Sequence, residues 1–361
     1  MGALQVIVDG QYGSSGKGAV AAHLARAAAR DGYRVAAMRV GGPNAGHTAV
    51  SDDGTRWALR QIPVAVVADP NATLLIAAGS EVDMDVLCDE AERLENAGHK
   101  VYDRLTIDRM ATVLVKRHRD QEQQFTLNER IGSTAKGIGA ARAERIWRTA
   151  TVVRDLAAGT ANDLADSRIE RFKVGNTATI LRDHLAIGQT AQIECSQGYG
   201  LSLYHQNYPQ VTSSDTTALG FLSMAGIAPW DKVVTDLEIW IAMRPQPIRV
   251  AGNSGPLFGE TTWEALGLAP EYTTVTQKLR RVGAWDANLA REAVTANGGA
   301  NYNEVVHIAL MMADYVDPAL AGVTDATELT DKAIEFIHMV QKDAGAHVRL
   351  LGTSDRTAID L

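Results

Sequence analysis

Within its first thirty residues the chain passes from a short apolar run, Leu4 to Val8, through Asp9-Gly10-Gln11-Tyr12-Gly13-Ser14-Ser15-Gly16-Lys17-Gly18 and straight into an alanine-rich segment, Gly18 to Arg30. A strand that turns through glycines and a lysine into a helix brings backbone N–H groups, a helix N-terminus and an ammonium to one spot, the physical recipe for holding phosphate. The junction also constrains the fold, because strands and helices go on alternating after it. Arg34 to Val40 and Thr73 to Ala78 read as strands, and Met84 to Ala97 as a charged helix. Ala191 to Glu194, Val233 to Met243, Glu304 to Met312 and Val348 to Leu351 follow as strands, with helical stretches at Asp286 to Ala296 and Glu328 to Lys342. This alternation predicts an α/β fold with a mostly parallel central sheet flanked by helices, whose ligands sit beyond the carboxyl ends of the strands.

The 361 residues, 46% hydrophobic and 22% charged, suffice for a sizeable core. No repeat, low-complexity tract or linker divides them, and Ala251 to Gly259 reads as a loop on one body, so a single domain over residues 1–361 is expected. The formal net charge of −8 leaves no global basic field for a nucleic-acid backbone. Cys88 and Cys195 suit a reducing compartment, and no closely spaced Cys and His residues form a metal cluster. The N-terminus lacks the basic and apolar regions of a signal peptide, and Val6 stands where a myristoylation motif wants Ser or Thr. Without a run of 18 apolar residues, no membrane span is expected. These features predict a soluble, cytoplasmic protein with small-molecule partners, no nucleic acid and no membrane.

The first loop departs from the standard P-loop, which needs glycine five residues before Gly16 and Ser or Thr after Lys17; Gln11 and Gly18 stand there. After the second strand comes Gly41-Gly42-Pro43-Asn44-Ala45-Gly46-His47-Thr48, an amide, a flexible backbone and an imidazole at a strand end. Two such loops at adjacent strand ends would form one nucleotide site.

Together the loops resemble the adenylosuccinate synthetase family. The resemblance continues through Gly132-Ser133-Thr134-Ala135-Lys136-Gly137-Ile138-Gly139, Cys195-Ser196-Gln197-Gly198 and Tyr208 to Thr217, then Arg280-Arg281-Val282-Gly283 and Asp355-Arg356-Thr357. It implies a P-loop-related fold and a two-step reaction. The γ-phosphoryl group of a triphosphate moves to a purine O6, and the aspartate amine then displaces phosphate at C6. The resemblance makes Ser14, Lys17 and His47 the catalytic positions, with Lys17 on the transferred phosphate and His47 as general acid at O6. Triphosphate contacts fall to Ser15, Gly16, Lys17, Gly18, Thr48, Arg280, Asp314, Gly352 and Thr353. The nucleotide monophosphate would meet Ser14, Asn44, Ala45, Ser133, Thr134, Gln197, Thr212 and Lys278. Arg148 would reach it from the neighbouring subunit of a homodimer. Aspartate would lie against Thr274, Val275, Thr276, Lys278 and Arg280, since paired cations suit a dicarboxylate. Mg²⁺ is the implied cofactor, with the Gly46 carbonyl and Ser14 as its protein ligands.

Three departures stand out. Ser14 occupies the place of an aspartate that serves as base for the purine N1 proton and as magnesium ligand, and a serine hydroxyl is a poor base. A phage branch of the family carries Gly-Ser-x-Gly-Lys-Gly here, as in Gly13 to Gly18, and uses dGMP in place of IMP on the way to 2-aminoadenine DNA. Met311, Met312 and Ala313 replace the residues that select GTP, although Asp314 remains, so ATP is expected as co-substrate, with dATP or GTP as alternatives. The chain is also shorter than the common enzyme between Asp317 and Glu328. The expected activity is thus condensation of dGMP with aspartate; an ordinary IMP-using enzyme and a catalytically silent nucleotide-binding protein are the alternatives.

Overall fold

The computed structural model describes residues 2–161, 164–273, 278–299 and 305–361. Among them, ten strands form one sheet. The first strand, Leu4–Asp9, lies inside it, with all six residues buried. On one side it pairs in parallel with Leu237–Met243, followed outward by Val306–Leu310, His347–Gly352 and an antiparallel edge strand, Ala358–Asp360. On the other side come Thr190–Cys195, Val35–Val40, Thr73–Ile76, Leu105–Asp108 and Lys173–Gly175, all in parallel register. Leu4 faces Ala191 on one neighbour and Leu237 on the other.

The α/β expectation holds, and each strand read from the sequence is present with its ends shifted by at most four residues. The Val233 to Met243 run becomes strand only from Leu237, and the 304–312 run only over Val306–Leu310. Alternate side chains feed two separate cores. Leu4, Val6 and Val8 join Met38, Ile193 and Ile241 on one face, whereas Ile7 packs with Val20, Leu24 and Leu74 on the other. Full burial of one such side chain contributes about 1.5–3 kcal/mol, so this alternation fixes the register of the first strand.

The chain walks outward from the first strand through Lys173–Gly175, returns to Thr190–Cys195 beside it, then crosses to the other side. That reversal opens a crevice at the carboxyl ends of the central strands. The first helix, Lys17–Arg30, starts in this crevice, with Ala21, Ala22, Ala25 and Ala28 on its buried face. Gly18 is required by close packing, since a Cβ there would stand 2.5 Å from the Thr48 carbonyl oxygen. This explains why the Ser or Thr of a standard P-loop is missing. The His47–Val50 strand pairs antiparallel with Arg56–Leu59 and hangs over the helix start, carrying His47 into the crevice.

Candidate active site

The phosphate loop is organised by a residue that the sequence reading passed over. Asp9 ends the first strand, is 1% exposed, and accepts four hydrogen bonds. Its Oδ1 takes the N–H groups of Gln11 (2.9 Å) and Gly13 (3.1 Å). Its Oδ2 takes Ser15 N–H (3.2 Å) and the Lys17 ammonium (3.0 Å). Lys17 also donates to the Gln197 carbonyl at 2.7 Å. The ammonium is thus strung between two strand ends, with Gly16 (φ 90°) as an N-cap that offers the helix no side-chain acceptor. An uncapped helix N-terminus beside a lysine is an anion site.

A cavity of about 750 Å³ opens over this loop. Its walls include Ser14, Gly16, Lys17, Gly18, Asn44, Ala45, Gly46, His47 and Thr48 from the first two strand ends, and Gln197 from a third. Ser133 and Thr134 close one side; Lys278, Arg280 and Asp314 come from the other. Ser14 (φ 56°), Gln197 (φ 64°) and Met312 (φ 59°) line it in left-handed backbone, a conformation that costs a non-glycine residue of order 1–3 kcal/mol and clusters at functional sites.

Other expected residues lie outside that lining. Ser15 is fully buried beneath the loop, its hydroxyl on Gln11 Oε1 at 3.2 Å. Gly352 and Thr353 are buried behind Ser354 and Asp355, and the Thr353 hydroxyl donates to the Val323 carbonyl at 2.7 Å. Thr212 is half-buried, with its amide on the carbonyl of Leu201, a lining residue, at 2.7 Å. Arg148 is exposed at the end of the Ile138–Trp147 helix. Thr274, Val275 and Thr276 lie outside the described residues.

His47 is 6% exposed and held inside the protein. Its Nδ1 is 2.5 Å from Glu194 Oε1, and Arg39 Nη1 approaches both ring nitrogens, at 3.0 Å from Nε2. Glu194 also takes Arg39 Nη1 at 2.9 Å and the Val64 amide at 2.9 Å. Burial, reinforced by the Arg39 charge, pushes the His47 pKa down to about 3. Burial opposes the Glu194 charge, yet Arg39 and His47 hold its carboxyl below the usual range. His47 is therefore neutral at pH 7 and lines the cavity.

The opposite wall is a charge network around Glu271, another lining residue absent from the sequence reading. Arg244, fully buried, grips its carboxylate with both Nη groups, and Tyr315 Oη donates to it at 3.0 Å. Arg280 Nη1 stands 3.7 Å away, and its Nε is buried without a partner. Although burial favours the neutral acid, these cations keep Glu271 below the ordinary carboxylate range; burial raises Asp314.

No group of three His, Cys, Asp or Glu side chains among the described residues could cage a metal. Ser14 and Gly46 line the pocket and bring hard oxygen donors. They fit a Mg²⁺ that keeps most of its ligands as phosphate and water.

A family model described as adenylosuccinate synthetase matches residues 6–171 and 162–318. The chain belongs to the adenylosuccinate synthetase family. It is a C–N bond-forming, triphosphate-using ligase of that kind. It is 34% identical over 353 residues to adenylosuccinate synthetase of Methanococcus vannielii, covering 96% of this chain and 95% of the relative. The Archaeoglobus fulgidus adenylosuccinate synthetase is 35% identical over 352 residues, at 96% and 94% coverage. Among solved structures, succinoaminodeoxyadenylate synthetase of cyanophage S-2L, bound to dGMP and dATP as an energy donor, superposes with TM-score 0.79 at 29% identity, covering 99% of this chain and 94% of that one. Fully ligated adenylosuccinate synthetase from Plasmodium falciparum gives TM-score 0.80 at 19% identity over the whole of both chains and shares the fold. No helix among the described residues is long and apolar enough to cross a membrane.

Proposed function

We propose that this chain, acting as one catalytic unit over residues 1–361, condenses L-aspartate with dGMP at the expense of ATP. The products are 2-amino-2′-deoxy-N6-succinyladenylate, ADP and phosphate. The observation that carries this reading is Ser14, a pocket residue without a carboxylate, held in left-handed backbone at the mouth of the phosphate loop. A hydroxymethyl group leaves room for the purine 2-amino group where a carboxylate would crowd it, and its oxygen accepts a hydrogen bond. The cyanophage neighbour, bound to dGMP and dATP, supports the same purine and an adenine triphosphate.

In this reading Lys17 leaves Asp9 for the transferring phosphoryl group, and the helix N-terminus holds its oxygens. Gln197, Asn44 and Thr134 orient the purine, and a turned His47 ring donates to O6. Arg280 and Lys278 grip the aspartate carboxylates. Mg²⁺, held by the Gly46 carbonyl and Ser14 hydroxyl, supplies charge neutralisation across the phosphates when bound. The pocket's cations need that help. Lys17, Arg56, Lys278 and Arg280 face Glu271, Asp314 and Asp355, one net positive charge against three anionic substrates. A second supplement is the partner's Arg148 in a homodimer. Beside Arg148, Ile146 and Trp147 are 70% and 78% exposed, an apolar surface that a second copy would cover.

Met312 lines the pocket where a lysine would select guanine, and Met311 packs between Gly16 and Gly352. Adenine is therefore preferred, with Asp314 left to accept from its amino group. A second reading, IMP as the purine, draws on the archaeal relatives, which are more similar in sequence than the phage enzyme. Phosphate release with aspartate and ATP, compared across dGMP, GMP, IMP and dIMP, separates them. Succinylation of dGMP first among the four supports the proposal; IMP first would overturn it.

A further inference from the structure

Arg244 is fully buried, yet it touches two walls of the pocket through other residues. It follows the Leu237–Met243 strand directly, and its backbone is docked on Gln11. Arg244 N–H donates to Gln11 Oε1 at 3.1 Å, and Gln11 Nε2 donates to the Arg244 carbonyl at 2.9 Å. From this fixed base the guanidinium reaches forward. Its Nη1 donates to the Ser14 carbonyl at 3.3 Å and to Glu271 Oε2 at 3.2 Å, while Nη2 donates to Glu271 Oε1. We infer that Arg244 is a positioning residue, which sets the Ser14 peptide and ties it through Glu271 to the Arg280 side of the pocket.

The Ser14–Ser15 peptide is held at both ends. Its carbonyl takes Arg244, and its N–H goes to Asp9 Oδ2. These two contacts fix the plane of the peptide that follows Ser14, whose own φ is 56°. On the far side, Glu271 and Arg280 share one rung, with Arg280 N–H on the Glu271 carbonyl at 2.8 Å and Nη1 3.7 Å from its carboxylate. Arg280 is thus loosely paired, because Arg244 and Tyr315 already satisfy Glu271. One guanidinium thereby serves two ends. It steadies the residue that meets the purine and keeps Glu271 from capturing the cation meant for the substrate carboxylate. Packing alone does not call for this arrangement. A buried charge is expensive, and Arg244 Nε has no partner, so an apolar side chain would fill the same volume at lower cost.

This inference rests on the ligase reading above, and its test distinguishes the two. With dGMP, aspartate and ATP, Arg244→Lys is expected to lower kcat about 10- to 100-fold, the scale of a displaced reacting group. It is expected to raise the aspartate KM several-fold, because a lysine cannot hold Ser14 and both Glu271 oxygens, and Glu271 then takes Arg280. The double variant Arg244→Lys/Glu271→Gln should return the aspartate KM toward the wild-type value while kcat stays low, a non-additive pattern that a loss of packing does not produce. A wild-type kcat in Arg244→Lys, or a KM that does not recover in the double variant, overturns the inference. Should Arg244→Lys fail to fold, Glu271→Gln alone carries the test. It loosens Arg244, and about a ten-fold lower kcat with an unchanged dGMP KM is expected; an unchanged kcat overturns the inference. Wild-type protein that releases no phosphate with any purine overturns the ligase reading instead.

Discussion

The two walls of the pocket are built on opposite principles. The phosphate loop is local: Asp9, Gln11, Gly13, Ser15 and Lys17 lie within nine residues, and one buried carboxylate collects four of their donors. The opposite wall is assembled from afar. Arg244, Glu271, Arg280 and Tyr315 come from separate segments and satisfy one another around a single carboxylate. The first wall therefore stands or falls with the fold, whereas the second rests on long-range contacts among a few side chains.

The sharpest way to break that contrast is Asp9→Asn. Removing one partner of a buried ion pair costs about 3–5 kcal/mol, so urea unfolding should show a loss of that size together with loss of turnover. Unchanged stability would mean that the loop does not depend on Asp9.

His47 gives the next effect, and its sign is fixed. Its folded pKa of about 3 lies below the unfolded value, so the unfolded chain takes up a proton that the folded chain refuses. The stability that this neutral imidazole contributes is complete above about pH 6.5 and falls by roughly 1.4 kcal/mol per unit as pH drops toward 3. His99, His184, His205 and His307 are shifted the same way by burial, so the comparison must be with His47→Gln. That variant should show a shallower decline between pH 6.5 and 5; parallel curves would place a charged His47 in the folded protein.

On the far wall, Arg280→Lys should cost less stability than Asp9→Asn, since Arg280 is only loosely paired, at 3.7 Å from Glu271. It should raise the aspartate KM about ten-fold, since an ammonium cannot form the bidentate fork. A matching rise in the dGMP KM would show that the two walls are not separable. The smallest effect belongs to Met312→Lys, which should move triphosphate preference toward GTP by about 1 kcal/mol, the scale of one added polar contact. An unchanged ATP-to-GTP ratio in initial rates would leave Met312 a packing residue only.

Much of the first wall was legible because its residues are neighbours in sequence. Gly13, Gly16 and Lys17 announce a strand, turn and helix, and Asn44 to Thr48 mark the next strand end. Asp9 stood in plain view as the last residue of that strand, but its role depends on a turn that folds the amides of Gly13 and Ser15 back over it. Glu194 lay one residue before a recognised block, and only the parallel pairing of Thr190–Cys195 with Val35–Val40 sets it beside Arg39 and His47. Arg244 and Glu271 gave no signal, since 233 residues separate Arg244 from its Gln11 clamp. The sheet was read in its centre and missed at both edges, with Ala358–Asp360 the missed strand on one side. Leu105–Asp108 and Lys173–Gly175 are four and three residues long, too short for a period to show.

Ser14 is the point on which the substrate reading turns, and one substitution tests it. Steady-state rates of phosphate release should be measured for wild type and Ser14→Asp with dGMP and with IMP, at saturating aspartate and ATP. Wild type should favour dGMP by about 10²-fold or more in kcat/KM, the scale of one general base lost to IMP. Ser14→Asp should lower kcat/KM for dGMP, while IMP is used as well or better. A wild-type preference for IMP, or dGMP turnover unchanged by Ser14→Asp, would contradict the substrate reading.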